Sequence, residues 1–310
     1  MPGGADGQIG WAGETTPGTA VTVDTFLPIR SENIKQAIEY LDTQTISARK
    51  VLRLTKPGAK TVEGGFTTEL PNTDIALLMK HMFGSVATTG AGPYVHTFTP
   101  GDLTGEALTI QVGRPASDGT VHPFTYAGCK VGGWTISAST GEIATLEATV
   151  IGMSETTVAA LAPASYDTSW APFVFTEASL TIGGTSVGTV RDLSLEADNV
   201  IEARHRLGSA SSKQPLEIGL RGYTGTITTD FDDLTHYNLF VNGTESAVVA
   251  TFTNGTEIIE ITMNVQFTGE TPELSGFELL GQTLPYRCIS SVSDAAAITA
   301  VLTNSEVTAA

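Results

Sequence analysis

From residue 259 to residue 267 the chain alternates strictly. Ile259, Ile261, Met263, Val265 and Phe267 are separated by Glu260, Thr262, Asn264 and Gln266. Successive side chains of a strand point to opposite faces, so this pattern makes one buried and one wet face, which a helix cannot do. The same alternation returns in Trp134, Ile136 and Ala138 against Thr135, Ser137 and Ser139, and in Leu146, Ala148 and Val150 against Thr145, Glu147 and Thr149. The chain is therefore expected to be mainly β, in sheets with one core face and one polar face. Asn254-Gly255 predicts a hairpin, because both turn residues favour positive φ, and Asp118-Gly119 predicts a second one after 108–113.

One unit occurs twice. Gly64-Gly65-Phe66-Thr67-Thr68-Glu69-Leu70 runs into Asp74-Ile75-Ala76-Leu77-Leu78-Met79-Lys80-His81-Met82-Phe83-Gly84. About 160 residues later, Gly225-Thr226-Ile227-Thr228-Thr229-Asp230-Phe231 runs into Asp233-Leu234-Thr235-His236-Tyr237-Asn238-Leu239-Phe240-Val241-Asn242-Gly243. Each copy reads as a Thr-rich strand followed by a short helix closed by Gly. Asn72 or Thr73 is the expected cap of the first helix and Asp232 of the second. A shorter match pairs Ile46-Ser47-Ala48-Arg49 with Ile201-Glu202-Ala203-Arg204. Residues 31–41 have helical propensity, yet their counterpart 190–200 alternates, so both are expected to be strands. The spacing is that of a duplicated domain. The boundaries that follow are an N-terminal docking arm over 1–30, one domain over 31–155, a linker over 156–172, a second domain over 173–290 and a C-terminal arm over 291–310. Residues 1–30 carry isolated apolar side chains, Ile9, Trp11, Val21, Val23, Phe26 and Leu27, too few to fold alone. Both terminal arms are expected to order only on assembly.

Composition removes several classes of function. The 310 residues hold 16 Lys and Arg against 33 Asp and Glu, a net charge of -17. Tight wrapping of nucleic acid is built on cations and is unexpected here, although a surface past which DNA slides is compatible. Cys129 and Cys288 have no metal-site spacing and read as two small buried residues, their mutual contact left open. The first residues lack a basic and an apolar region, so a secretory signal is not expected, and no apolar run reaches membrane-spanning length. Folding in a reducing cytoplasm is the corresponding expectation. Gly184-Thr185-Ser186-Val187-Gly188 matches a nucleophile elbow, but strand rather than helix follows it. The five histidines show no metal-ligand spacing, and Asp230, Asp232 and Asp233 lack the rest of a calcium loop. No enzyme, cofactor or metal is expected.

Gly10-Trp11-Ala12-Gly13-Glu14-Thr15-Thr16-Pro17-Gly18-Thr19, followed by Phe26-Leu27-Pro28 and Ser31-Glu32, resembles the start of tail tube (major tail) proteins of long-tailed bacteriophages. Phe124-Thr125-Tyr126-Ala127-Gly128-Cys129-Lys130 with Trp134-Thr135-Ile136-Ser137 and Gly141-Glu142-Ile143 resembles a strand pair of the same family. The resemblance implies two tail-tube-type β-sandwich domains, each with a flanking helix, in a virion protein that assembles in the host cytoplasm. It implies stacked rings around a channel for double-stranded DNA, with a tape-measure protein, a tail terminator and distal tail proteins as partners and no membrane. Duplication implies trimeric rings that mimic hexamers, with true hexamers as the alternative. Channel-lining candidates are Glu147, Thr149, Glu260, Thr262, Asn264 and Gln266; ring-stacking candidates are the six apolar residues of the arm. Alternatives are the inner tube of a contractile tail or related secretion machine, a β-sandwich adhesin or carbohydrate-binding protein, and last an acidic glycosidase.

Overall fold

A computed structural model describes residues 3–46, 50–269, 271–272, 280–290 and 296–309. Strands dominate, with two eight-residue helices, α1 (Ala76–Phe83) and α2 (Thr235–Asn242). None of the described helices is long and apolar enough to cross a membrane. The first sheet has seven antiparallel strands side by side, with the short Ser31–Glu32 sharing the edge of Thr55–Glu69 with the first of them. In spatial order they are Lys35–Asp42, Thr55–Glu69, Thr145–Gly152, the second half of Val121–Ser139, Val190–Asp198, Gly222–Asp230 and Gly281–Cys288. The second sheet runs Thr185–Ser186, Ala178–Ile182, Glu245–Asn254, Glu257–Phe267, Ile298–Asn304, Tyr94–Pro100 and Gly84–Gly90. The two meet at one corner, where Val265, Gln266 and Phe267 pair with Cys288, Arg287 and Tyr286.

A small third sheet contains Thr25–Phe26, Gln8–Gly13, Leu108–Pro115, the first half of Val121–Ser139 and Ser154–Thr156. The 19-residue strand Val121–Ser139 therefore serves two sheets. Gly128 lies between its two parts with φ +67°, and a Cβ there would come within 2.4 Å of Met153 Sδ, so glycine is required at this point.

The two halves share one core. Trp134 of the first sheet lies 5.2 Å from Phe83 of α1 between ring centroids, Phe83 lies 6.2 Å from Phe98 of the second sheet, and Trp134 lies 6.3 Å from Tyr223 of the second half. Equivalent positions of the repeat have equivalent burial: Val62 and Tyr223, Phe66 and Ile227, Thr68 and Thr229 are all buried. Both helices end on a left-handed glycine, Gly84 at φ +97° and Gly243 at φ +59°. The segment expected to be strand over 31–41 is strand, as Ser31–Glu32 and Lys35–Asp42. In the shorter match, Ile201–Arg204 is a strand, whereas 47–49 lie outside the described residues.

Several local expectations need correction. Asn72 and Thr73 do not cap α1; Asn72 instead bonds the segment between the halves, at the carbonyl of Ser169 and the amide of Ala171. The carboxylate of Glu306 accepts from the first amides of α1, at Ile75 and Ala76. At α2 Asp233, one residue past Asp232, accepts from the amide of Thr235. The hairpin after residue 254 turns on Gly255-Thr256: Asn254 still pairs with Glu257, and only Gly255 has positive φ. That is the geometry of a two-residue loop with Gly first.

Neither terminal arm is free. Gln8–Gly13 pairs along Leu108–Pro115, and Ile9, Trp11, Val23, Phe26 and Leu27 are buried. Trp11 stacks on Phe66 at 5.7 Å, and buried Glu14 accepts from Thr109 Oγ1 and the Gly128 amide at 2.8 Å each and from the Gly18 amide. Counting apolar residues within 1–30 missed the reason, since their partners come from elsewhere in the chain. Ile298–Asn304, expected in a terminal arm, is an interior strand of the second sheet. The segment expected as a linker over 156–172 is likewise fastened. Gln111 receives the amide of Ala162 and donates to the carbonyl of Ala160, and Gln8 donates to the carbonyl of Ala162.

His81 in α1 is 2% exposed, and burial, followed by the charges of Lys80 and Lys130, pushes its imidazole down to about 3. It is neutral at pH 7, so its 3.9 Å approach to Glu106 is not an ion pair there. Unfolding frees the ring to bind a proton below its ordinary 6.5. Stability from this residue is therefore complete above pH 6.5 and is lost as pH falls toward 3, on the order of 5 kcal/mol in the limit. His81→Leu is expected to flatten this acid slope in urea midpoints measured between pH 7 and pH 4; an unchanged slope would count against it.

Candidate functional site

The register of the first sheet assembles one polar row across both halves. Ser31 lies beside Thr67, Thr67 beside Glu147, Glu147 beside Thr135, Thr135 beside Glu196, Glu196 beside Thr224 and Thr224 beside Arg287. A flanking row runs Glu69, Thr145, Ser137, Ser194, Thr226 and Pro285. On the other side of Glu147, Thr149 and Asp198 both pair with Gly133. The alternate residues, among them Phe66, Ala148, Trp134, Leu195, Ala197, Tyr223 and Leu284, are buried in the shared core. Period-two alternation thus turns seven strands into one continuous wall of hydroxyls and carboxylates.

Carboxylates prevail on this wall. Glu69, Glu147, Glu196 and Asp198 stand in the rows just given, against Arg287, whose guanidinium donates to Gln266 Oε1 at 2.6 Å. Such a surface repels phosphate at long range and offers it few cations at contact.

Glu147 and Thr149, named from alternation alone, are exposed on this wall. Glu260 and Thr262 are not part of it: they lie on Glu257–Phe267 in the second sheet, between Glu245–Asn254 and Ile298–Asn304, on the face away from the shared core. Asn264 lies further along the same strand beside Ala247, and Gln266, at the corner, continues the row through its pairing with Arg287. Alternation separates a wet face from a dry one but does not tell which sheet a strand joins. The strand beside the second-half repeat is Gly281–Cys288. Glu196, Thr224 and Thr226 were missed as wall residues. The signal was present in the repeat, whose Thr67 and Thr228 both turn to this face.

The second exposed feature is apolar. Residues 55–61 pair with Lys35–Asp42, with one further bridge from Lys60 to Ser211, and this two-stranded extension carries Tyr40 (62% exposed), Leu41 (54% exposed), Val51, Leu52 and Leu54 on its surface. Of the six arm residues expected to stack rings, only Val21 is not buried in this chain.

A sandwich of antiparallel sheets with a polar wall and a core shared between two halves is a mainly β fold. A family model described as phage tail tube protein matches residues 4–288, and the chain belongs to that family. It is therefore a structural component of the virion tail, in a family that is not one of enzymes. A search of curated proteins found no match.

Proposed function

We propose that this chain forms the tail tube from rings of three copies, with the wall of the first sheet turned to the lumen. The observation behind this reading is the junction at the middle of that sheet. Residues 133–139 of the first half pair antiparallel with residues 192–198 of the second through seven consecutive positions. Two copies of the repeated unit are thereby joined edge to edge within one chain, as neighbours in a ring of single-unit subunits would be joined between chains. A closed ring needs the same step each time, and a covalent pair supplies every second step at high effective concentration. Lys35–Asp42 leaves its outer edge without a strand partner among the described residues, a template that a neighbouring copy would satisfy.

In this reading double-stranded DNA passes the wall without specific binding, and the lumen holds the tape-measure protein before ejection. Terminator and distal tail proteins close the two ends. Electron microscopy of the purified protein with native mass measurement of its rings tests the proposal. Three chains per ring are expected; six chains per ring would overturn it.

Stacking is assigned to the extension of Lys35–Asp42 and residues 55–61, because its apolar side chains are exposed whereas those of the N-terminal segment are spent inside the chain. Exposed apolar clusters of this kind mark interaction surfaces. Tyr40→Ser with Leu54→Ser is expected to leave folded rings but shorten tubes at least about tenfold in micrographs, as two contacts are lost per chain at every ring step. Tubes of ordinary length would remove the assignment.

A further inference from the structure

The last strand of the chain is the only strand that joins the halves within the second sheet, among the described residues. Tyr94–Pro100 pairs with Gly84–Gly90 on one side and with Ile298–Asn304 on the other. Glu257–Phe267 takes the opposite edge of Ile298–Asn304, through positions 258–263. Without Ile298–Asn304 the first-half hairpin has no strand link to the second-half sheet, and two strand edges face an empty slot. Ile298, Ala300 and Leu302 fill the core side of that slot, each 1% exposed or less.

The residues just beyond the strand fasten it to the first half. Asn304 Nδ2 donates to the carbonyl of Asn72 and to Glu306 Oε1. Glu306 accepts from the amides of Ile75 and Ala76, satisfying donors that open α1 and that no local side chain caps. His96 Nε2 donates to the carbonyl of Glu306 at 3.0 Å, which leaves Nδ1 to accept from Thr88 Oγ1 at 2.8 Å. A strand made last thus completes hydrogen bonding at the start of the first helix, more than 200 positions earlier.

We propose that Ile298–Asn304, with Asn304 and Glu306 as its anchor, is a self-donated strand whose insertion makes the chain competent to assemble. Until it enters, the strands that pair the two halves are those of the first sheet alone, among the described residues, and unpaired edges of the second sheet face outward. An incomplete chain is thereby kept out of the growing tube, where one faulty copy would interrupt every later ring. Strand addition of this type draws affinity from main-chain hydrogen bonds and specificity from alternate side-chain pockets. Competence to assemble rests on the reading of the chain as a ring-forming tube subunit; capture of the strand does not.

The test uses the full chain with a protease site placed between Ser290 and Ala296. After cutting, the C-terminal peptide is expected to stay bound and assembly to be unchanged. Washing it out in mild urea should give a β-rich protein that no longer assembles, with faster amide exchange in 94–100 and 258–263. A synthetic peptide of residues 296–309 should restore both properties, and the same peptide with Leu302→Asp should bind at least about 100-fold more weakly. Capture is read by fluorescence anisotropy, which needs no tubes. If the uncut chain forms no tubes, the tube reading fails and capture alone decides the donated strand. Assembly of the stripped protein at its original rate would overturn the proposal. So would a stripped protein without β structure, or one that fails to capture the unmodified peptide, because the remainder must hold the slot.

Discussion

Trp134→Ala is expected to leave a chain that is mostly unfolded or collapsed at 37 °C. The side chain is 2% exposed and contacts Phe83 from α1 and Tyr223 from the second half, so it holds together elements that no single half contains. Truncating a buried tryptophan costs about 3–5 kcal/mol, through lost burial and the cavity left behind. Domains have about 5–15 kcal/mol in total, so the loss takes a large share. Trp134→Phe should recover most of it. The indole N–H is buried without an acceptor among the described residues, so phenylalanine keeps an aromatic ring and removes an unsatisfied donor. Urea midpoints of the three proteins check the order. A midpoint for Trp134→Ala close to the unsubstituted protein's would show that the halves do not depend on this contact.

Glu147→Lys with Glu196→Lys is expected to leave tubes intact but slow DNA ejection at least about tenfold at low salt. Both side chains are exposed and flank Thr135, on either side of the strand that joins the halves. Neither contributes to the core. In the tube reading each chain would add two cations to every ring, and weak phosphate contacts accumulate along the duplex with a steep salt dependence. Raising salt should therefore restore much of the rate. Glu260→Lys is the control for either substitution alone, because it makes the charge change of one of them on the second sheet and should have little effect. Normal ejection by the double variant at low salt, or equal slowing by the control, would contradict the assignment of the wall.

Alternation made the strands and their two faces legible from residues alone, and the repeated Thr-rich unit made legible the two strands that each lead into a short helix closed by Gly. Those signals are local: a period of two needs only its own neighbours. Sheet membership is set by pairing across the whole chain, which is why Glu260 and Glu147 looked alike in sequence yet stand on different sheets. The N-terminal segment shows the same limit. Trp11 is buried because Phe66 lies over it, and Glu14 is buried because Thr109 and Gly128 supply donors, partners that no window around residues 1–30 contains. The cap of α1 is the extreme case, since Glu306 is brought to it by a strand at the opposite end of the chain.

The central claim is that the first sheet runs through both halves of each chain and lines the lumen with its polar rows. A helical reconstruction of assembled tubes by electron cryomicroscopy tests it most directly. The expected map has three chains per ring, residues 133–139 and 192–198 paired inside each chain, and Thr67, Glu147, Thr135, Glu196 and Thr224 facing the channel. A map with six chains per ring, or with those side chains on the outer surface and Glu260 and Thr262 facing the channel, would contradict it.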